Sequence, residues 1–316
     1  DVYKRQGLSL VPFLAARVAY RATQDSRTAT FAFIATLICP FLITNSLILV
    51  REGWMALCFI GAFYFLMKRR YLMLLLSLML AMYFRLEAGM LLLASLAVYV
   101  VLIHGPERRN TGEIAPTWRS VPRMLAIAFL PFLALICGVV LIGPETVINV
   151  AAALVYREEF LESFIGASAT TDSGGTFYKI NQFPWFIIVP LSFLFFLGSP
   201  FFTLAGLVIN GEYIPLMVLA NLFGFMFIFY FAFFTRGILR VLTAGNAIMS
   251  VLVITFLVDI LILSQASMQI RHKVELMPLF YVITAYGFVY KRSIPWAAGL
   301  AASFGLMLVT FGVNAI

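Results

Sequence analysis

Long runs of apolar residues, separated by short basic and turn-forming clusters, dominate the pattern along this chain. Runs such as 72–82 and 251–263 lack the alternation of apolar and polar positions that a half-exposed strand shows. A run that crosses about 30 Å of hydrocarbon must satisfy its own backbone hydrogen bonds as a helix. The pattern therefore predicts an all-α fold: a polytopic transmembrane helical bundle of about ten crossings.

The predicted crossings follow the apolar runs. The run at 8–20 is interpreted as the end of a first crossing, and the polar opening at Asp1 is interpreted as a missing N-terminal segment. The other crossings are predicted at 28–50, 53–67, 71–84, 88–104, 124–143, 213–234, 241–264, 275–290 and 294–314. Residues 1–316 are thus expected to form a single transmembrane domain, incomplete at its N-terminus.

Basic clusters give the predicted orientation, because cytoplasmic loops are rich in lysine and arginine. The clusters assigned to the cytoplasm are Lys68 to Arg70, the loop with Arg108, Arg109, Arg119 and Arg123, the pair Arg236 and Arg240, and Lys291 with Arg292. Counting crossings from both ends then places the loop 144–183 outside. Residues 184–212, which contain Pro190 and Gly198-Ser199-Pro200, become a candidate re-entrant hairpin; the alternative is one kinked crossing.

Composition agrees with a lipid environment, since 63% of the 316 residues are hydrophobic and 11% are charged. The net charge of +8 follows from basic loops, and no nucleic-acid partner is expected. The sequence contains no GxxxxGK[ST], HExxH or GxSxG motif, so ATP-driven transport and histidine-based metal hydrolysis have no support. Cys39, Cys58 and Cys137 lie singly in apolar runs, as packing residues do.

Cationic side chains recur at the predicted outer face. Arg51 precedes Glu52 at the end of one crossing, Arg85 stands near Glu87 at the next outer boundary, and Arg271, His272 and Lys273 are consecutive. Arginine offers a bidentate fork for phosphate, lysine a mobile charge, and histidine a group that titrates near neutral pH. These residues are predicted to bind phosphate; snorkelling and headgroup anchoring are the alternatives.

Four carboxylates are candidate general bases. Asp259 lies inside the apolar run 251–264, where an ionisable residue is costly and is by default a functional candidate; a structural salt bridge is the alternative. Glu158 and Asp172 belong to the outer loop, and Glu52 accompanies Arg51. A carboxylate near a sugar hydroxyl can remove its proton. A solvated loop face is the other interpretation of Glu158 and Asp172.

Four segments together resemble a known class: ICPFLITNSLILVREGW, RLEAGM, FLGSPF and SMQIRHKVELMPLFYVITAYG. They are similar to segments of bacterial inner-membrane proteins of cell-surface polysaccharide assembly, including O-antigen polymerases and GT-C glycosyltransferases. The resemblance extends over residues 30–290. It implies a polyprenyl-phosphate- or pyrophosphate-linked sugar donor and a glycan acceptor, used at the extracytoplasmic face.

In that class the phosphate-holding roles would fall to Arg51, Arg85, Arg271 and Lys273. GT-C enzymes usually place an acidic residue in their first outer loop, often beside a metal, and that loop would precede Asp1. A divalent metal cofactor therefore stays open, and no metal site is identifiable in the sequence. The alternatives are a secondary transporter or flippase-like protein for an anionic or lipid-linked substrate, and a non-catalytic membrane scaffold.

Overall fold

A computed structural model describes the chain at residues 2–39, 42–43, 50–104, 180, 183–198, 208–209, 212–213, 215–244, 246–266, 273–289 and 296–315. Ten α-helices form most of this described part, and the all-α prediction is confirmed. They are α1 (Val2–Thr23), α2 (Ser26–Leu37), α3 (Val50–Met67), α4 (Tyr71–Phe84), α5 (Leu86–His104), α6 (Trp185–Gly198), α7 (Pro215–Ala244), α8 (Ala247–Ala266), α9 (Met277–Val289) and α10 (Trp296–Ala315).

Two short elements accompany the helices. The 3₁₀ turn Val274–Leu276 leads directly into α9. Strands β1 (Val208–Ile209) and β2 (Glu212–Tyr213) pair antiparallel, with Val208 opposite Tyr213. Considered over the described residues alone, none of the helices is both long enough and apolar enough to cross a membrane.

The predicted crossing 28–50 is not one continuous helix in the structure, and residues 40–41 and 44–49 lie outside the described residues. Helix α2 begins after Asp25, whose carboxylate accepts a hydrogen bond from the Arg27 amide at 3.1 Å, and it ends at Leu37. Pro40 follows shortly in the sequence. Because a residue before proline avoids the α-helical region, Cys39 does not continue the helix. The next long helix, α3, begins at Val50.

The prediction that Arg236 and Arg240 lie in a loop between two helices is wrong. Both residues lie inside α7, which continues to Ala244. Arg236 is buried, because its aliphatic stem packs against α10 near Gly299. The turn comes later, at Asn246, whose side chain accepts from the Met249 amide at 3.1 Å at the start of α8. Helix α6 likewise continues through Pro190 and ends at Gly198.

Helix α9 lies at the centre of the bundle. It packs against α1, α2, α3, α7 and α8, and all its residues from Met277 to Gly287 are buried. Phe280 stacks between Phe227 and Phe234 of α7, with ring centroids 5.0 Å and 4.8 Å apart. For a helix that is apolar on nearly every side, a position surrounded by other helices is one of the arrangements that keep its side chains from water.

Glycines set the distance between α7 and α9. A Cβ atom on Gly287 would meet the carbonyl oxygen of Phe233 and would lie 2.5 Å from the amide nitrogen of Gly237. A Cβ on Gly237 would in turn meet the carbonyl oxygen of Ile283. The two backbones are therefore in contact, an approach that only glycine permits.

The outer helices carry large apolar side chains on their exposed surfaces. Helix α4 exposes Leu72 at 68% and Tyr83 at 83%, and it has apolar residues on all sides. Leu308 on α10 is 67% exposed. Exposed apolar side chains of this size are typical of surfaces that bind a protein, a ligand or a membrane.

Candidate functional site

Arg85 and Glu275 join two segments that are far apart in the sequence. Arg85 lies between α4 and α5, and its Nη1 is 3.4 Å from Oε1 of Glu275 in the 3₁₀ turn before α9. The Glu275 side chain is completely buried, whereas the Arg85 side chain is 18% exposed. Arg85 therefore extends from the protein surface to a buried carboxylate. A guanidinium in this position can contact a ligand at the surface and Glu275 together.

Lys273, two residues before Glu275 in the sequence, is buried as well. Its Nζ donates hydrogen bonds to the carbonyl oxygens of Leu197 at 2.6 Å and Phe196 at 3.1 Å, at the C-terminal end of α6. The same ammonium lies 4.6 Å from the centroid of the Phe227 ring. Burial lowers the pKa of Lys273 well below that of a lysine in water, while the carbonyls and the ring favour its charged form. In this conformation Lys273 binds the end of α6.

Asp259 is buried within α8, as its position in an apolar run implied. Its Oδ1 is 2.7 Å from the hydroxyl of Ser95 on α5, which also lies 2.8 Å from the carbonyl oxygen of Leu91. Among the described residues, Oδ2 of Asp259 is buried without a hydrogen-bond partner. The Glu275 carboxylate is close enough to interact electrostatically with Asp259. The Arg85–Glu275 pair, Asp259 and Ser95 are together called the polar cluster below.

This arrangement brings together some of the predicted site residues. Arg85 and Asp259 both lie near Glu275, and Lys273 precedes Glu275 by two residues. Arg51 and Glu52 lie in the first turn of α3. Arg271, His272, Glu158 and Asp172 lie outside the described residues, as does most of the loop 144–183.

Sequence reasoning did not select two members of the cluster, Glu275 and Ser95. Glu275 follows the basic triplet directly, in RHKVE, and this adjacency was a usable signal for an acidic partner. Ser95 is a small hydroxyl residue within the otherwise apolar stretch 88–98. Such a residue commonly bonds its own helix, so its contact with Asp259 depends on the packing of α5 against α8.

Comparison with known proteins supplies no relative. No protein-family model, curated protein or solved structure matches the chain. Within the described ranges, no group of three or more histidine, cysteine, aspartate or glutamate side chains is arranged to hold a metal ion. Functional inference therefore rests on the polar cluster and on the surface around it.

Proposed function

We propose that this protein transfers a sugar, or polymerises glycan units, at the extracytoplasmic face of the bacterial inner membrane. The donor is a polyprenyl-phosphate- or pyrophosphate-linked sugar, and the acceptor is a glycan. The observation that carries the proposal is the contact of Arg85 with Glu275. It supports a cationic site at one end of the bundle, beside the segment that also contains Arg271, His272 and Lys273.

The proposal includes a transmembrane bundle of about ten crossings, with a broken or re-entrant segment at 184–212. The exposed apolar surfaces of α4, α8 and α10 support it. On α8 the exposed residues Ile254, Val258, Leu261 and Ile262 alternate with buried ones at helical spacing. Lipid is the partner that would cover such surfaces without requiring a specific second protein.

Membrane extraction and cysteine labelling test the embedding and the orientation. We expect the protein to stay in the membrane pellet after an alkaline carbonate wash. In a cysteine-free background, an impermeant reagent added outside should label a cysteine at exposed Tyr83 and leave one at Arg69 unlabelled, because the two positions lie at opposite ends of α4. Release by carbonate, or labelling of both positions from one side, would contradict the proposal.

In the proposed reaction, an acceptor hydroxyl attacks the anomeric carbon as its bond to the lipid phosphate oxygen breaks. The phosphate leaves with the bonding electrons and is stabilised by Arg51, Arg85, Arg271 and His272, while Lys273 adds positive charge from its buried position at the end of α6. The hydroxyl proton passes to a carboxylate, for which Glu52, Asp259, Glu158 and Asp172 are the candidates. Attack from the opposite face inverts the anomeric configuration. A divalent metal remains an open cofactor, and no step above depends on one.

Complementation tests the phosphate-binding role. In a strain that lacks the protein, Arg85→Ala should reduce glycan assembly by about 10²-fold, the effect of losing one preorganised charge-stabilising donor. Arg51→Ala and Arg271→Ala should act in the same direction. Arg70→Ala is the matched control, because Arg70 is exposed at the other end of α4 and makes no side-chain capping bond there. Glycan of normal amount and length in all three variants, at equal expression, would refute phosphate binding.

The second candidate function is secondary transport or lipid-linked substrate flipping. A specific observation favours it: Asp259 is buried in the interior of α8 with one carboxylate oxygen lacking a hydrogen-bond partner among the described residues. Buried carboxylates of this kind occur on ion and proton pathways. Transport of an anionic substrate into vesicles that contain only this protein would favour this alternative over glycosyl transfer.

A further inference from the structure

Two buried oxygens on one face of α8 lack a hydrogen-bond partner within the described part of the chain. They are Oδ2 of Asp259 and the hydroxyl of Thr255, four residues earlier, and both residues are 1% exposed. Residues at this spacing are neighbours on a helix surface, with Cβ atoms about 5–6 Å apart. A buried polar atom without a partner is costly, so two adjacent ones require an explanation.

The Thr255 hydroxyl differs from most helical hydroxyls in the described part of the chain; Ser192 in α6 is the other buried hydroxyl without a partner there. Serine and threonine side chains in these helices generally donate to the carbonyl oxygen three or four residues earlier. Those that do so are Thr23, Thr30, Thr36, Thr235, Ser250, Ser264, Thr284 and Ser303. Thr255 has the same opportunity and does not use it. Its oxygen is therefore available to a ligand beside Asp259.

The charge of Asp259 also requires a counterion. Arg85 contacts Glu275, and Lys273 donates to the end of α6, so the nearby described cations have other contacts. Glu275 adds a second negative charge close to Asp259. A carboxylate removed from water in this way is stable only when a cation or a proton neutralises it.

We propose that Asp259 and Thr255 form a binding site for a sodium ion, with Ser95 orienting the carboxylate. Oδ2 of Asp259 and the Thr255 hydroxyl supply hard oxygen ligands, which alkali and alkaline-earth cations prefer. Ser95 donates to Oδ1 and so leaves Oδ2 free to face the ion. One carboxylate matches the single charge of sodium. The site does not depend on phosphate binding; in a transferase, a sodium ion on Asp259 would leave Glu52, Glu158 and Asp172 as the candidate bases.

Thermal unfolding of the purified protein in detergent tests the site. At constant ionic strength, sodium chloride should raise the unfolding midpoint saturably, by about 3–5 °C, relative to choline chloride, because the ion binds only the folded state. Potassium chloride should give a smaller rise. Thr255→Val should raise the half-saturating sodium concentration at least about tenfold, and Asp259→Asn should abolish the response.

Thr284→Val is the matched control, because Thr284 is equally buried but donates to the Phe280 carbonyl at 2.7 Å. It should keep the wild-type sodium response. If Asp259→Asn does not fold, two other measurements test the site. They are the sodium titration of Thr255→Val and the binding of radioactive sodium to the wild type. Equal midpoints in all three salts would overturn the proposal. A sodium-independent midpoint whose pH dependence disappears in Asp259→Asn would also overturn it, since the occupant would then be a proton.

Discussion

Gly287→Ala should lower the free energy of unfolding by about 3 kcal/mol, the upper part of the range for overpacking a core. The new methyl group would meet the Phe233 carbonyl oxygen and would lie 2.5 Å from the Gly237 amide nitrogen. Both are backbone atoms, so no side-chain rotation can relieve the clash and α7 must move away from α9. Denaturant unfolding in mixed micelles, or loss of monodisperse protein during purification, measures the effect.

Gly305→Ala is the control for this substitution. Gly305 lies in α10, and a Cβ atom there would have no neighbour within 4 Å. Alanine is favoured over glycine in a helix by about 1 kcal/mol, so this variant should be neutral or slightly more stable. If Gly287→Ala and Gly305→Ala behaved alike, the close crossing of α7 and α9 would be wrong.

Arg85→Ala should destabilise the protein by about 2–3 kcal/mol, because it leaves the buried Glu275 carboxylate without the guanidinium. This loss of stability is at or below the one expected when a fully buried ion pair is broken, because the Arg85 side chain is partly exposed. Adding Glu275→Gln removes the buried charge and should restore most of the stability. A double-mutant cycle then gives the coupling energy between Arg85 and Glu275. It uses the free energies of unfolding of the wild type, the two single variants and the double variant.

The same three variants separate structure from function. If Arg85 binds the lipid phosphate, the double variant should fold like the wild type and still fail to assemble glycan, because the guanidinium is absent. Recovery of glycan assembly together with stability would assign Arg85 a purely structural role. The activity of the Glu275→Gln single variant, which keeps the guanidinium, is the reference for this comparison.

The sequence predicted the helices well where long apolar runs end at clear signals. Helix α4 has the predicted bounds, 71–84, because Arg69 and Arg70 precede it and Arg85 follows. The prediction of one uninterrupted helix failed for the apolar run 28–50, because that run contains a helix stop at Cys39, before Pro40. Prediction also failed where a charged residue was taken for a loop, as at Arg236, whose stem is long enough to pack inside the bundle.

The candidate site was predictable only in part. Asp259 stood out in the sequence because an ionisable residue is unusual within a long apolar run, and in the structure its side chain is buried. The contact of Arg85 with Glu275 links positions 190 residues apart, and no local pattern contains that pairing. Lys273 was predicted as a phosphate ligand from its residue type. Its contact with the Leu197 carbonyl depends on where α6 ends, which periodicity alone does not show.

The central position of α9 has a consequence for biosynthesis. Helices α1, α2 and α3 all pack on α9, yet more than 200 residues separate them from it in the sequence. During translation these early helices emerge long before the element that fills the space between them. Their inward surfaces must then be covered by one another, by lipid or by a chaperone until α9 is made. Ribosomes that stall before Met277 would therefore release chains that lack the central helix of the core, which quality-control proteases should remove.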